Sequence, residues 1–200
     1  MNGILDNPII FNFLSVITGD VKVKRKIIDE FIKPFNGAKI LDIGCGTGQM
    51  LKLINENFSV SCTGFDINAR YVNYAKQKNN SGNFFCADIT NTITIENDFD
   101  IVIASDILHH LNNTDVMNLI EVAKKSLKPN GHFIAVDPIK TEQQNTVEKY
   151  LMKNDRGKYI RAKEENLNLL KLYFSQINTT TLQGSYFIPW TECVFQGVKK

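Results

Sequence analysis

Apolar positions along the chain gather into five short runs separated by segments of helical periodicity. The first contains Ile40, Leu41 and Ile43, and the others occupy residues 60–66, 84–88, 99–104 and 131–138. Ile101, Val102, Ile103 and Ala104 suit a strand covered on both faces, as in a parallel sheet. Helices are predicted after the first run to about residue 57, over 69–78, and from about 114 to 127. This repeated alternation of strand and helix specifies an α/β fold: a doubly wound, mostly parallel sheet with helices on both faces.

The flanks depart from that alternation. Asn7 and Pro8 suit the cap and first turn of a short helix running through Ile17 and ended by Gly19. Asp20 can cap a second helix reaching Lys33, closed by Pro34. Beyond the fifth run, Thr141 and Gln144 have capping-box spacing for a helix to Lys153. The segment DRGKYIR at 155–161 precedes a helix over about 162–174, and residues 175–184 and 190–198 alternate in character as a terminal antiparallel pair.

Length and charge narrow the possibilities. A chain of 200 residues suits one domain that buries about two thirds or more of its unfolded surface. A formal net charge of +2, with scattered Lys and Arg, excludes the concentrated phosphate-binding surface of a nucleic-acid protein. The local basic run Lys22, Lys24, Arg25 and Lys26 reads as the solvated face of a helix. Cys45, Cys62, Cys86 and Cys193 form no CxxC pair and read as small buried residues in a reducing cytosol. Residues 1–19 lack the basic start and small-residue cleavage site of a signal peptide, and no apolar stretch approaches membrane-spanning length. The expected setting is therefore cytoplasmic, with neither membrane nor nucleic acid as partner.

The chemistry concentrates after the first run, where ILDIGCGTGQM at 40–50 places Gly44, Gly46 and Gly48 in a loop nearly free of side chains. Such a loop brings bare backbone against a ligand at the carboxyl end of a parallel sheet. The dinucleotide fingerprint spaces its glycines as GxGxxG; here the third comes one residue early, and Asp42 lies two residues before the first. Asp66 closes the second strand 18 positions after Gly48, where a carboxylate can accept hydrogen bonds from both ribose hydroxyls.

This combination resembles the first motif of the class I, Rossmann-like S-adenosylmethionine-dependent methyltransferases, and the resemblance covers residues 40–138. It implies a seven-stranded sheet finished by a C-terminal antiparallel hairpin. One domain over 1–200 would then comprise a helical lid (1–36), a cofactor-binding core (37–138), a helical insert (139–175) and the terminal strand pair (176–200). It further implies that Gly44, Cys45, Gly46 and Gly48 line the methionine and ribose part of the cofactor, with Asp42 shaping the loop. Asp66 would hold the ribose, Ile67 and Ile89 would pack on the adenine, Asp88 would sit near its amino group, and Ser105 would stand where the methyl points.

A sulfonium methyl is already activated, so the protein's task is to place the acceptor in line with it and exclude water. His109 and His110, in the loop after the fourth strand, are the candidates for a general base if the acceptor is a hydroxyl. His132 falls at the opposite end of its strand, and three histidines without paired thiols argue against a metal site. Gln143, Asn145, Asp155, Arg156, Gly157 and Arg161 resemble a subgroup of small bacterial and archaeal methyltransferases with a DRG-containing insert. Arg156 and Arg161 could grip a carboxylate or phosphate, with Tyr159, Pro189 and Trp190 walling the pocket; the alternative is an internal salt bridge from Asp155. No NPPY-like sequence or Pro-Cys pair follows the fourth strand, which disfavours methylation of adenine or glutamine nitrogen and of cytosine C5.

The expected function is methyl transfer from S-adenosylmethionine to a small or medium-sized acceptor, at oxygen before nitrogen or carbon, with an acidic or phosphorylated acceptor suited to the arginines. A catalytically silent binding module and a nicotinamide-dependent oxidoreductase are the alternatives.

Overall fold

All five apolar runs enter one sheet. The structure, a computed structural model, describes residues 7–79, 81–88 and 98–200. The parallel strands are β1 (Lys39–Ile43), β2 (Ser61–Asp66), β3 (Gly82–Cys86), β4 (Phe99–Ser105) and β5 (Leu127–Lys140); β7 (Ile177–Gln183) and β8 (Thr191–Val198) form the terminal pair. Their order is β3-β2-β1-β4-β5-β8-β7, with β8 antiparallel to both neighbours. A two-residue strand, β6 (Arg161–Ala162), pairs with the end of β5 and is the one addition to the expected seven. Since β1 lies between β2 and β4, the winding reverses there, and the crevice opens at the tips of these strands.

Alternation along the strands divides the core into two layers. Ile40, Ile101, Ile103 and Ile134 face α2 (Asp20–Ile27), α3 (Gln49–Asn55) and α4 (Ala69–Lys78). Leu41, Ile43, Val102, Ala104 and Phe133 face α5 (Asn113–Ser126) and α7 (Lys163–Lys171). Burial on both faces is why these strands read as continuous apolar runs.

The N-terminal helices begin and end close to where their punctuation puts them. Asn7 caps α1 (Pro8–Thr18), accepting a hydrogen bond from Ile9 N at 2.9 Å, and Gly19 ends it at φ +86°. Gly19, not Asp20, also precedes α2; Asp20 is the first helical residue, and its carboxylate is spent on Lys24 one turn later. A π-helical turn (Ile28–Ile32) extends α2, and Lys33 at φ +48° ends it before Pro34. Helix α6 (Thr146–Lys153) is capped by Asn145, whose side chain accepts from Glu148 N at 2.9 Å. The Thr141–Gln144 capping box does not form, because Gln144 is buried and donates to Ile139 O at 2.9 Å. Among the described residues no helix is long and apolar enough to cross a membrane.

Candidate active site

The glycine loop is hooked onto the end of β2. Gly44 N and Cys45 N both donate to Phe65 O, at 2.8 and 3.0 Å, and Gly46 N donates to Asp66 Oδ2 at 2.9 Å. Gly44, Gly46 and Gly48 all have positive φ, +79°, +53° and +73°, the region that favours glycine. Their surroundings differ in an informative way. A Cβ on Gly44 would lie 2.4 Å from Ile107 and one on Gly48 2.7 Å from Asn79, whereas one on Gly46 would meet nothing within 4 Å. The loop is thus packed from below and open at Gly46, a backbone cradle that a ligand can fill.

One cavity of about 850 Å³ runs over this cradle, near the top of the roughly 300–1,000 Å³ range of small-molecule sites. Of the residues singled out in the sequence, Asp42, Gly44, Cys45, Gly46, Asp66, Ile67, Asp88, Ser105, His109, His110, Arg156 and Trp190 all line it. Gly48 lies beneath the loop and is absent from the lining, Ile89 falls outside the described residues, and His132 is exposed away from the site. Helix α1 roofs the cavity with Phe11, Leu14, Ser15 and Thr18, and Thr47 Oγ1 ties it to the loop through Asn12 Oδ1 at 2.7 Å.

The acidic groups at the cofactor end are perturbed by burial. Asp42, 2% exposed, is pushed up to about 7 by desolvation and by the nearby Asp66 carboxylate. Asp66 is raised by burial too, but two backbone N–H groups restrain the shift: Gly46 and, at 2.7 Å, Asn68. Burial pushes the Cys45 thiol far up, leaving it unreactive. Cys62 and Cys193 are buried as expected, whereas Cys86 is exposed at the end of β3.

The two histidines part company. His109 is 4% exposed, with Nδ1 2.8 Å from Asp137 Oδ1 and Nε2 3.4 Å from Asp155 Oδ1. Burial opposes its charge, but the hydrogen bonds to the two carboxylates prevail and hold it near 10. His110 has its ring centroid 4.2 Å from that of His109 and its edge on the cavity. Desolvation and the adjacent His109 charge lower it to about 4, so it is neutral near pH 7, although its outer face is exposed.

The DRGKYIR segment serves these histidines through alternate residues. Asp155 faces the His109 ring, and Gly157 lies so close that a Cβ there would be 1.9 Å from His109 Cδ2. Tyr159 N donates to His109 O at 2.8 Å. Arg161 donates to Leu108 O at 2.9 Å, Leu111 O at 2.6 Å and Asn113 Oδ1 at 3.0 Å, bracketing the turn Leu108–His110. Neither Tyr159 nor Arg161, expected at the acceptor, lines the cavity, and the Arg161 guanidinium is engaged by backbone carbonyls and the Asn113 side chain. The alternative reading, an internal salt bridge from Asp155, is met in part by His109, whose Nε2 lies 3.4 Å from Asp155 Oδ1. Of the segment, Asp155 and Arg156 reach the cavity, and the Arg156 guanidinium stands 6.0 Å from the centre of the Phe11 ring.

Lys24, Tyr186 and Glu192 line the cavity and escaped the sequence reading, whereas Asp106 belongs to the exit loop already placed near the methyl. Lys24, expected on a solvated face, is 9% exposed and ion-paired with Asp20; the i,i+4 spacing was its available signal. Asp106 takes φ +56°, and Glu192 and Tyr186 meet at the start of β8. A charged residue at an inward position of the alternating stretch TECVFQ marks Glu192 in retrospect.

Residues 40–131 match the family model described as a methyltransferase domain. Together with the sheet order and the glycine cradle, this makes residues 40–131 similar to the methyltransferase domains of the class I, Rossmann-like kind. Among individual proteins, the phosphoethanolamine N-methyltransferase of Plasmodium falciparum is 32% identical over 137 residues, 67% of this chain and 50% of that protein. The chain spans half or less of the length of the curated relatives it matches. Haemonchus contortus phosphoethanolamine N-methyltransferase 2, solved with phosphomonomethylethanolamine and S-adenosylhomocysteine, superposes with a TM-score of 0.72 at 18% identity, over 89% of this chain and 52% of that one. The 4+2 cyclase SpnF superposes equally well, at 0.72 and 15% identity over 90% and 80% of the two chains, so the fold by itself does not dictate the reaction.

Proposed function

We propose that this chain transfers a methyl group from S-adenosylmethionine to a nitrogen of a small acceptor that also carries an anionic group. The supporting observation is the single cavity joining the glycine cradle and Asp66 to His110, Arg156 and Glu192. The cofactor, when bound, supplies a sulfonium-activated methyl and departs as the thioether. The open backbone at Gly46 would receive its amino-acid and ribose portion, Asp66 the ribose hydroxyls, and the exposed Ile67 the adenine face. Asp88 and Ser105 stand along the same wall.

Nitrogen replaces oxygen as the favoured acceptor atom for two reasons. Carboxylates dominate the acceptor side of the cavity, and the similar curated proteins are named N-methyltransferases. The phosphoethanolamine in those names is an amine joined to a phosphate, a combination suited to carboxylates on one side and Arg156 on the other.

His110 is the group we assign to take the proton that the acceptor ammonium sheds to free its lone pair before the new bond to carbon forms. His109 is already charged and enclosed by Asp137 and Asp155, so it positions the turn. Helix α1 and the 155–161 segment exclude water over the reacting atoms.

The test is incubation with S-adenosylmethionine and a panel of small phosphorylated amines and matched alcohols, with S-adenosylhomocysteine and methylated product measured by mass spectrometry. Amines are expected to turn over and alcohols not. Turnover of alcohols alone would overturn the nitrogen assignment, and cofactor binding without turnover of any acceptor would favour a silent module.

A further inference from the structure

The acceptor end of the cavity holds an arrangement of charge that methyl transfer does not itself require. Glu192, first but one in β8, is 2% exposed and lies beside the tip of β5, opposite Pro138. Tyr186 donates its hydroxyl proton to Glu192 Oε2, and Trp190 Nε1 donates to Oε1 at 3.2 Å. The groups facing it are Asp106 beyond β4, Asp20 and Lys24 on α2, and Tyr186. Three carboxylates thus share one ammonium, and that ammonium is ion-paired with Asp20. Buried carboxylates are normally paired or bound to a cation, and among the described residues neither Glu192 nor Asp106 has an ion-pair partner of its own. Tyr186 and Trp190 also line the cavity, so the excess negative charge is flanked by aromatic rings.

We infer that Glu192, with Asp106, Tyr186 and Trp190, forms a subsite for a cationic nitrogen: the ammonium of the acceptor before transfer and of the methylated product after it. The inference deepens the proposed function by naming the residues that hold the acceptor's nitrogen, and it rests on that reading for its role, though not for its binding chemistry. In the empty pocket burial and the neighbouring carboxylates raise Glu192 well above the ordinary carboxylate range, so it takes up a proton more readily than an exposed glutamate. Entry of a cation replaces that proton, which leaves to solvent while the carboxylate pairs with the incoming nitrogen.

Choline and its uncharged carbon isostere 3,3-dimethylbutan-1-ol provide the test, titrated by calorimetry into protein saturated with S-adenosylhomocysteine. The wild-type chain should bind choline at least about tenfold more tightly than the alcohol, the scale of a desolvated cation against carboxylate and aromatic groups. It should also release a proton, seen as a dependence of the heat on buffer ionisation. Glu192→Gln should bring the two ligands to within about twofold and abolish the proton release, with S-adenosylhomocysteine affinity unchanged. Tyr186→Phe, which removes one hydrogen bond and keeps the ring, should weaken choline by about threefold and serves if the first variant does not fold. Equal affinity of the wild type for both ligands would overturn the inference. So would retained discrimination in Glu192→Gln, or an equal loss of S-adenosylhomocysteine, which would assign Glu192 to the cofactor's own ammonium. Failure of the methyltransferase reading is separately visible as absence of heat with S-adenosylhomocysteine alone.

Discussion

His109→Gln removes the cation held between Asp137 and Asp155 while keeping a side chain of similar reach. Asp137 is wholly buried, and its Oδ2 has no hydrogen-bond partner among the described residues, so the loss leaves an uncompensated carboxylate in the core. Breaking one half of a buried pair costs about 3–5 kcal/mol. Linkage sets an independent ceiling: raising a histidine from 6.5 to about 10, at about 1.4 kcal/mol per tenfold, corresponds to at most about 5 kcal/mol. The sign follows from the direction of the shift. A folded-state value above the unfolded one contributes stability that is complete below the unfolded value and is lost as pH rises through the folded one. Urea unfolding near pH 6 should therefore separate wild type and variant by about 3 kcal/mol or more, and the gap should close between about pH 7 and pH 10. A gap under about 1 kcal/mol near pH 6, or one that pH does not change, would refute the picture of a doubly paired imidazolium.

Two further outcomes bear on the cofactor and on the DRG segment. Asp66→Ala should weaken S-adenosylhomocysteine by about 1–3 kcal/mol, as expected for loss of a charged hydrogen-bond acceptor, and unchanged calorimetric affinity would remove the ribose assignment. Gly157→Ala drives a methyl into the His109 ring and should cost about 1–3 kcal/mol in unfolding free energy, with acceptor turnover falling while S-adenosylhomocysteine affinity holds; wild-type stability would show that the segment yields without cost.

Strands buried on both faces and helices with strong caps announce themselves locally, which is why the alternation through Asp137 and the Asn7 to Gly19 helix were legible in the chain. The glycine spacing was legible for a related reason, since backbone that must approach a ligand leaves little freedom in residue type. Arg161 shows where that legibility stops. A guanidinium that grips an anion and one that grips backbone carbonyls are the same residue in the sequence, and only the fold brings Leu108 O and Leu111 O within its reach. The two histidines were equivalent by position and became distinct through Asp137 and Asp155, 28 and 46 residues later in the chain. Lys24 was misread because a basic run suggests solvent, while its partner four residues earlier was serving as a notional cap.

Because β8 runs against its neighbours, its beginning, not its end, meets the tips of the parallel strands. In the function we propose, nucleoside recognition is thereby written early, across residues 42–88, while the acceptor wall is completed by the connector and strand start at 186–192. These two stretches are distant in the chain and share no strand. Evolution or an engineer can exchange the late stretch to alter which molecule is modified and leave the early one, with its universal methyl donor, untouched.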